Sequence, residues 1–181
     1  MPTLLYRAAI RDLRGSEILP LNHLRERHPD IYEREAAKYS YRPQTMDNAV
    51  HPLECRWSDV VFLSPVHPAP IFDALREAGR VGPTTLTYWT IDADLLDPAR
   101  TCILLKRHDP LFRPQPASDY LPYSAATVAT LSTPSAKALD RLRNLNATEP
   151  LLPWADIPHI LHRGPIAVSL FRDADGRAVS P

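Results

Sequence analysis

Ser64 closes the apolar run Val60-Val61-Phe62-Leu63 and is followed by Pro65, which places a hydroxyl at the end of a strand. No Gly-x-Ser-x-Gly turn surrounds it, so the nucleophile-elbow hydrolases are excluded. His159 and His162 lie three apart without a nearby cysteine or carboxylate, and read as a surface pair; no metal is expected. Asp92, Asp94 and Asp97 have a spacing that suits paired acid and base groups, yet an aspartate after a strand and an Asp-Pro step are ordinary turn chemistry. Arg7 stands inside the apolar run of residues 4–10, where a strand can turn an arginine toward a ligand. Glycine patterns of the Walker and Rossmann kinds are absent, and so is His-Glu-x-x-His.

The elements that position these residues follow from periodicity and punctuation. Strands are expected at residues 4–10, 59–64, 84–91, 101–106 and 166–171, where apolar, β-branched and aromatic residues gather between polar turns. Helices are expected over residues 29–39, with Ile31, Tyr32 and Ala36 near one face, over 71–78, and over 136–145, where Ala138, Leu139, Leu142 and Leu145 oppose Arg141 and Arg143. Residues 40–52 and 107–122 are rich in prolines and read as long loops, a length that often carries function. Leu151, Leu152 and Trp154 read as a strand-like run, residues 157–161 as a short turn or helix, and the chain from about 172 as a polar, frayed tail.

With 181 residues, 44% of them hydrophobic and 23% charged, the chain suits one α+β domain with a real core, and 20 prolines against 5 glycines give it stiff connections. Lysine plus arginine equal aspartate plus glutamate at 21 each, so no global field recruits DNA or an anionic membrane, and any nucleic acid must be held by a local patch. Cys55 and Cys102 are solitary, residues 1–10 lack a signal-peptide pattern, and no run approaches the roughly 20 apolar residues of a membrane span; a reducing, cytoplasmic setting is expected.

Four segments, in chain order, resemble the ADP-ribosyltransferase superfamily, and look most like the DarT-type toxins that ADP-ribosylate DNA. Leu5-Tyr6-Arg7, with its turn and Ile18-Leu19-Pro20-Leu21, resembles the opening strand that presents an arginine or histidine to NAD. Val61-Phe62-Leu63-Ser64-Pro65-Val66-His67-Pro68 is similar to the strand and Pro-x-Ser-Pro turn of the DarT proteins, and in other members that strand end carries a serine of the Arg-Ser-Glu triad. Residues 88–96 look like the mid-domain strand, and Ala147-Thr148-Glu149-Pro150-Leu151-Leu152 is similar to the segment that holds the catalytic glutamate.

The resemblance implies a single ADP-ribosyltransferase-like domain with a split β-sheet core and short flanking helices. NAD is then the substrate, with Glu149 as the catalytic carboxylate and Tyr6, Arg7, Ser64 and His67 as the NAD-binding residues. Cleaving the nicotinamide–ribose bond builds oxocarbenium character that a carboxylate stabilises, and an arginine fork matches a pyrophosphate. Tyr6, Tyr32, Tyr39, Tyr41 and Trp57 are candidates to stack on nicotinamide, and the arginine of the family's NAD loop falls to Arg34, Arg42 or Arg56. DarT proteins carry histidine where Arg7 stands, and Pro150 removes a backbone donor just after Glu149. The implied partners are a macromolecular acceptor, nucleic acid among the candidates, and an antitoxin or immunity protein. A competing expectation is a non-catalytic binding or regulatory domain whose loops 40–52 and 107–122 contact a partner protein; convergence of Arg7, Ser64 and Glu149 on one cleft separates the two.

Overall fold

A computed structural model describes residues 2–83, 85–109 and 111–180. Its strands are β1 (Leu4–Ala8), β2 (Glu17–Ile18), β3 (Ala49–Val50), β4 (Cys55–Arg56), β5 (Val60–Leu63), β6 (Tyr88–Asp92), β7 (Thr101–Leu104), β8 (Tyr120–Pro122), β9 (His159–Arg163) and β10 (Ile166–Ala167). Its α-helices are α1 (Leu21–Arg27), α2 (Pro29–Ala36), α3 (Pro68–Glu77), α4 (Ala125–Thr130) and α5 (Ala136–Arg143). The architecture is α+β. Met1, Thr84, Pro110 and Pro181 lie outside the described residues; of the strand expected over 84–91, residue 84 is among them, residues 85–87 are irregular and the strand begins at Tyr88.

Two antiparallel sheets carry the fold. β1 pairs with β6, with Tyr6 opposite Thr90 and Arg7 opposite Trp89. The larger sheet runs β5-β9-β7-β8. A single bridge joins the two: Tyr6 and Ser64 exchange both backbone hydrogen bonds at 2.8 Å. Leu5, Leu63, Ile91, Ile103, Ile160 and Phe171 form the main buried cluster spanning both sheets. Val50, Trp57, Val60, Cys102, Leu104 and Leu161 form a second cluster. At roughly 1.5–3 kcal/mol for each large apolar side chain removed from water, the first cluster holds the two sheets together far more than the bridge does, while the second packs the larger sheet against the segment around β3 and Trp57.

Helix α3 packs on α5 through Ile71, Ala74 and Leu75 against Ala138 and Leu142, the i, i+3, i+4 spacing that puts apolar residues on one face. It begins three residues earlier than expected. His67 Nδ1 accepts from Ala69 N at 3.1 Å and Pro68 occupies the first turn, where its missing N–H costs nothing. Gly79, at φ +67°, ends it, with Arg80 N reaching back to Leu75 O at 2.9 Å.

Several expectations need correction. Residues 157–161 form neither turn nor helix but enter β9, the strand flanked by β5 and β7. Both faces of β9 are covered, which removes the alternation that marks a half-buried strand. Residues 151–152 are irregular and 153–156 form turns in place of the expected strand-like run, since Pro150 and Pro153 cannot donate to a ladder. Only Ile166–Ala167 of the expected closing strand is extended, and a 3₁₀ turn follows. The tail is tied down: Arg172 pairs with both Thr90 and Ala178. The loop of residues 40–52 contains a 3₁₀ segment and β3, and α1 and α4 are additional helices. No helix of the described residues is long and apolar enough to cross a membrane.

Candidate functional site

Beyond the Tyr6–Ser64 bridge the sheets part. A continued antiparallel ladder would give Phe62 O to Ala8 N, because hydrogen-bonded pairs recur every second residue. Instead the Arg7 guanidinium takes that carbonyl, Nη1 to O at 2.9 Å. Helix α2 and the turn after it lie over the opening, and a cleft of about 680 Å³ results. That is a size ordinary for a small-molecule site.

The lining has a definite chemistry. Arg7, Arg11, Arg14, Arg34 and Lys38 supply five cations against the three carboxylates of Asp12, Glu17 and Glu35. Tyr6, Tyr39, Trp57, Phe62 and Trp154 supply aromatic surface. Arg14 is spent on Asp12 and Asp30, at 3.0 and 2.7 Å. Arg7 is different, for it has no carboxylate within ion-pair distance among the described residues, and its Nε is buried without a hydrogen-bond partner. Burial pulls its pKa down, with Glu35 and then Tyr39 opposing. A guanidinium stays charged regardless. An unmade hydrogen bond at a buried polar atom costs about 1–3 kcal/mol, so a bound anion offsets a standing penalty at Arg7.

Tyr6, Arg7 and Ser64 thus meet at the fork and line the cleft. The Ser64 hydroxyl is committed locally, accepting from Val66 N at 3.0 Å and donating to Val66 O at 3.1 Å, so it shapes the turn. His67 packs behind Tyr6, ring centroids 5.0 Å apart, and its Nε2 hydrogen-bonds Tyr88 Oη at 3.0 Å. Since Nδ1 already accepts from Ala69 N, Nε2 carries the proton. Glu149 is elsewhere, in an exposed turn after α5, its Oε2 accepting from Asn146 N at 2.9 Å and its carbonyl held by Arg80 at 3.0 Å. It does not line the cleft. Of the three arginines weighed for the NAD loop, Arg34 lines the cleft, Arg42 stands over Tyr39, Tyr41 and Phe112, and Arg56 reaches toward Asp47 at 3.3 Å.

Two functional candidates escaped the sequence reading. Glu35, half-buried on α2, is the cleft carboxylate that couples to Arg7; Lys38 bonds it, and Arg34 stands 3.6 Å away. The signal was present as the 31–35–38 spacing, which places Glu35 and Lys38 beside buried Ile31. His159 is the other. Its Nδ1 lies 2.8 Å from Ile157 O, and a carbonyl can only accept, so the proton sits on Nδ1 and Nε2 carries a lone pair, on a ring that lines the cleft. Burial, helped by nearby Lys106, pushes its pKa down to about 4, leaving it neutral at physiological pH. His162, on the opposite face of β9, is buried against Thr101 Oγ1 at 2.9 Å and is not part of the cleft.

Comparison with protein-family models, with curated proteins and with solved structures finds no match to the chain.

Proposed function

We propose that the cleft binds NAD and that the protein is an ADP-ribosyltransferase, cleaving nicotinamide from NAD and passing ADP-ribose to a macromolecular acceptor in a reducing cytoplasm. The observation that carries this reading is Arg7, a cation at the fork of the sheets without a carboxylate partner, in a cleft where cations outnumber carboxylates and aromatic rings are close by. A dinucleotide offers a pyrophosphate to Arg7, which lacks a carboxylate partner, and flat rings to Trp57, Phe62 and Tyr39, while Arg34, held 3.5 Å from Asp12 and 3.6 Å from Glu35, adds a second cation to the cleft.

Glu35 replaces Glu149 as the carboxylate in this scheme. As the C1′–N bond breaks, its electron pair moves onto the nicotinamide ring nitrogen, which leaves neutral, and Glu35 stabilises the positive charge left on the ribose. An acceptor oxygen then bonds to C1′, and its proton passes to the bare Nε2 of His159. An oxygen bonded to an oxocarbenium carbon is a far stronger acid than an imidazolium, so a histidine that titrates near 4 suffices as the base. Nucleic acid is one candidate acceptor and protein another, and a toxin of this kind would have an antitoxin as a partner. Incubation with NAD labelled in the adenylate, against separate pools of DNA, RNA and protein, tests the activity: label retained on one pool supports transfer.

A second reading is favoured by one observation, that Glu149 stands outside the cleft. The chain is then a non-catalytic domain that binds a nucleotide or a partner without turnover. Free nicotinamide released during the same incubation excludes it.

A further inference from the structure

A second depression shares one wall residue, Trp57, with the cleft. Its walls include Arg42, Lys106, Arg113, Thr45 and Tyr120. Arg113 is engaged by Asp109 at 2.6 Å. Arg42 and Lys106 have no carboxylate partner among the described residues, and their charges are close enough that Arg42 lowers the pKa of Lys106, after burial, which is the larger cause. Aromatic faces meet them, the Arg42 guanidinium 4.9 Å from the Phe112 ring centre and 5.2 Å from that of Tyr41, and Lys106 Nζ 5.6 Å from that of Trp57; Asp156 and Asp109, the latter in the wall of the depression, act on Lys106 without forming an ion pair with it.

The carboxylates that could neutralise the pair are used elsewhere. Asp109 holds Arg113, while Asp156 holds Arg141 at 3.1 Å and accepts from His108 N at 2.9 Å. Lys106, which lines the depression, also adopts a left-handed backbone, φ +49°, which non-glycine residues avoid. Thr45, 7% exposed, adds a hydroxyl that nothing else in the described chain bonds, and Arg42 Nε is likewise buried without a partner. Two like charges, two unused donors and a strained backbone around one hollow are all destabilising in the empty protein. A dianion or a phosphodiester relieves the charge and the donors together.

The geometry points to a phosphoryl-binding subsite at Arg42, Lys106 and Thr45, separate from the cleft and joined to it at Trp57. This inference stands whether or not the cleft takes NAD. Its enclosed part is about 20 Å³, room for one oxygen, so the group is held at the mouth with a single oxygen inside. Two sources share this chemistry, a free phosphate and the backbone of a single-stranded nucleic acid, whose bases would meet Tyr41 and Phe112.

Calorimetric titration of the full chain at low salt, with inorganic pyrophosphate and separately with a single-stranded thymidine octanucleotide, tests the subsite. Wild-type protein should bind at least one of the two. Lys106→Met, which keeps the apolar stem and removes the charge, should weaken that site tenfold or more, and Arg7→Lys should leave it in place. Binding by pyrophosphate alone assigns the site to free phosphates; binding by the oligonucleotide assigns it to nucleic acid. Absence of binding by both probes overturns the inference, and so does a site that responds to Arg7→Lys and not to Lys106→Met. Lys106→Met should melt no lower than wild type, since it removes a buried charge; if it melts lower, Arg42→Gln is read by the same criteria.

Discussion

At the scale of single residues, the cleft assigns roles that can be separated by substitution. Glu35→Gln keeps the size and a hydrogen bond to Lys38 but removes the charge, and nicotinamide release should fall by on the order of a hundredfold, the scale for losing one preorganised electrostatic group. Glu149→Gln should leave turnover unchanged, because that side chain caps its own turn through Asn146. A kinetic comparison of the two variants decides which carboxylate works. The sequence made Arg7 and Tyr6 legible because both sit in a short strand with sharp polar limits. Glu35 and His159 were hidden for a physical reason: each acquires its meaning from tertiary packing, Glu35 on a helix laid over the fork and His159 on β9 between β5 and β7, and neither stands in a local pattern that differs from a solvated helix or a turn.

The elements themselves show where local signals suffice. Helices α3 and α5 were readable from apolar spacing, and α3 gains a cap that the sequence carries in plain view, His67 before Pro68. His67→Ala should remove the bond to Ala69 N and the bond to Tyr88, costing about 1 kcal/mol by denaturant unfolding, typical of a lost N-cap. Unchanged stability would show that the imidazole contributes no cap. Strand β9 was missed because its interior residues Ile160, Leu161 and His162 are all buried, so the run carries no alternation and contains a histidine. Helix α1 was missed for the opposite reason, having no buried residue and no side-chain cap. The α+β class was legible, but the place where β1 and β5 part, with the Arg7 guanidinium on the Phe62 carbonyl, required coordinates.

Across the whole molecule, a formal charge of zero conceals local imbalance, with cations in excess both in the cleft and beside Trp57. Acid should expose a second global property. His162 is 5% exposed, and burial, followed by Arg100, pushes its pKa from 6.5 down to about 4. Between those values the unfolded chain binds a proton that the folded chain does not, so stability falls as pH drops from about 6.5 toward 4 and changes no further from this group below that. At about 1.36 kcal/mol per pKa unit the loss from His162 is about 3 kcal/mol. His159, pushed down to about 4 in the same way, adds a similar limb, so His162→Gln should remove about half of the pH dependence, and an unaltered limb would assign it to other groups. The central claim, that the forked cleft takes a dinucleotide through Arg7, is tested most directly by calorimetric titration of NAD into wild type and Arg7→Lys. The variant keeps the charge and loses the planar fork. Wild type should bind NAD at sub-millimolar concentration, as substrates commonly do, and the variant should bind it about tenfold or more weakly, the loss of a hydrogen bond to a charged group being about 1.5–3 kcal/mol. Equal affinities in the two proteins, or no heat of binding in wild type, would contradict it.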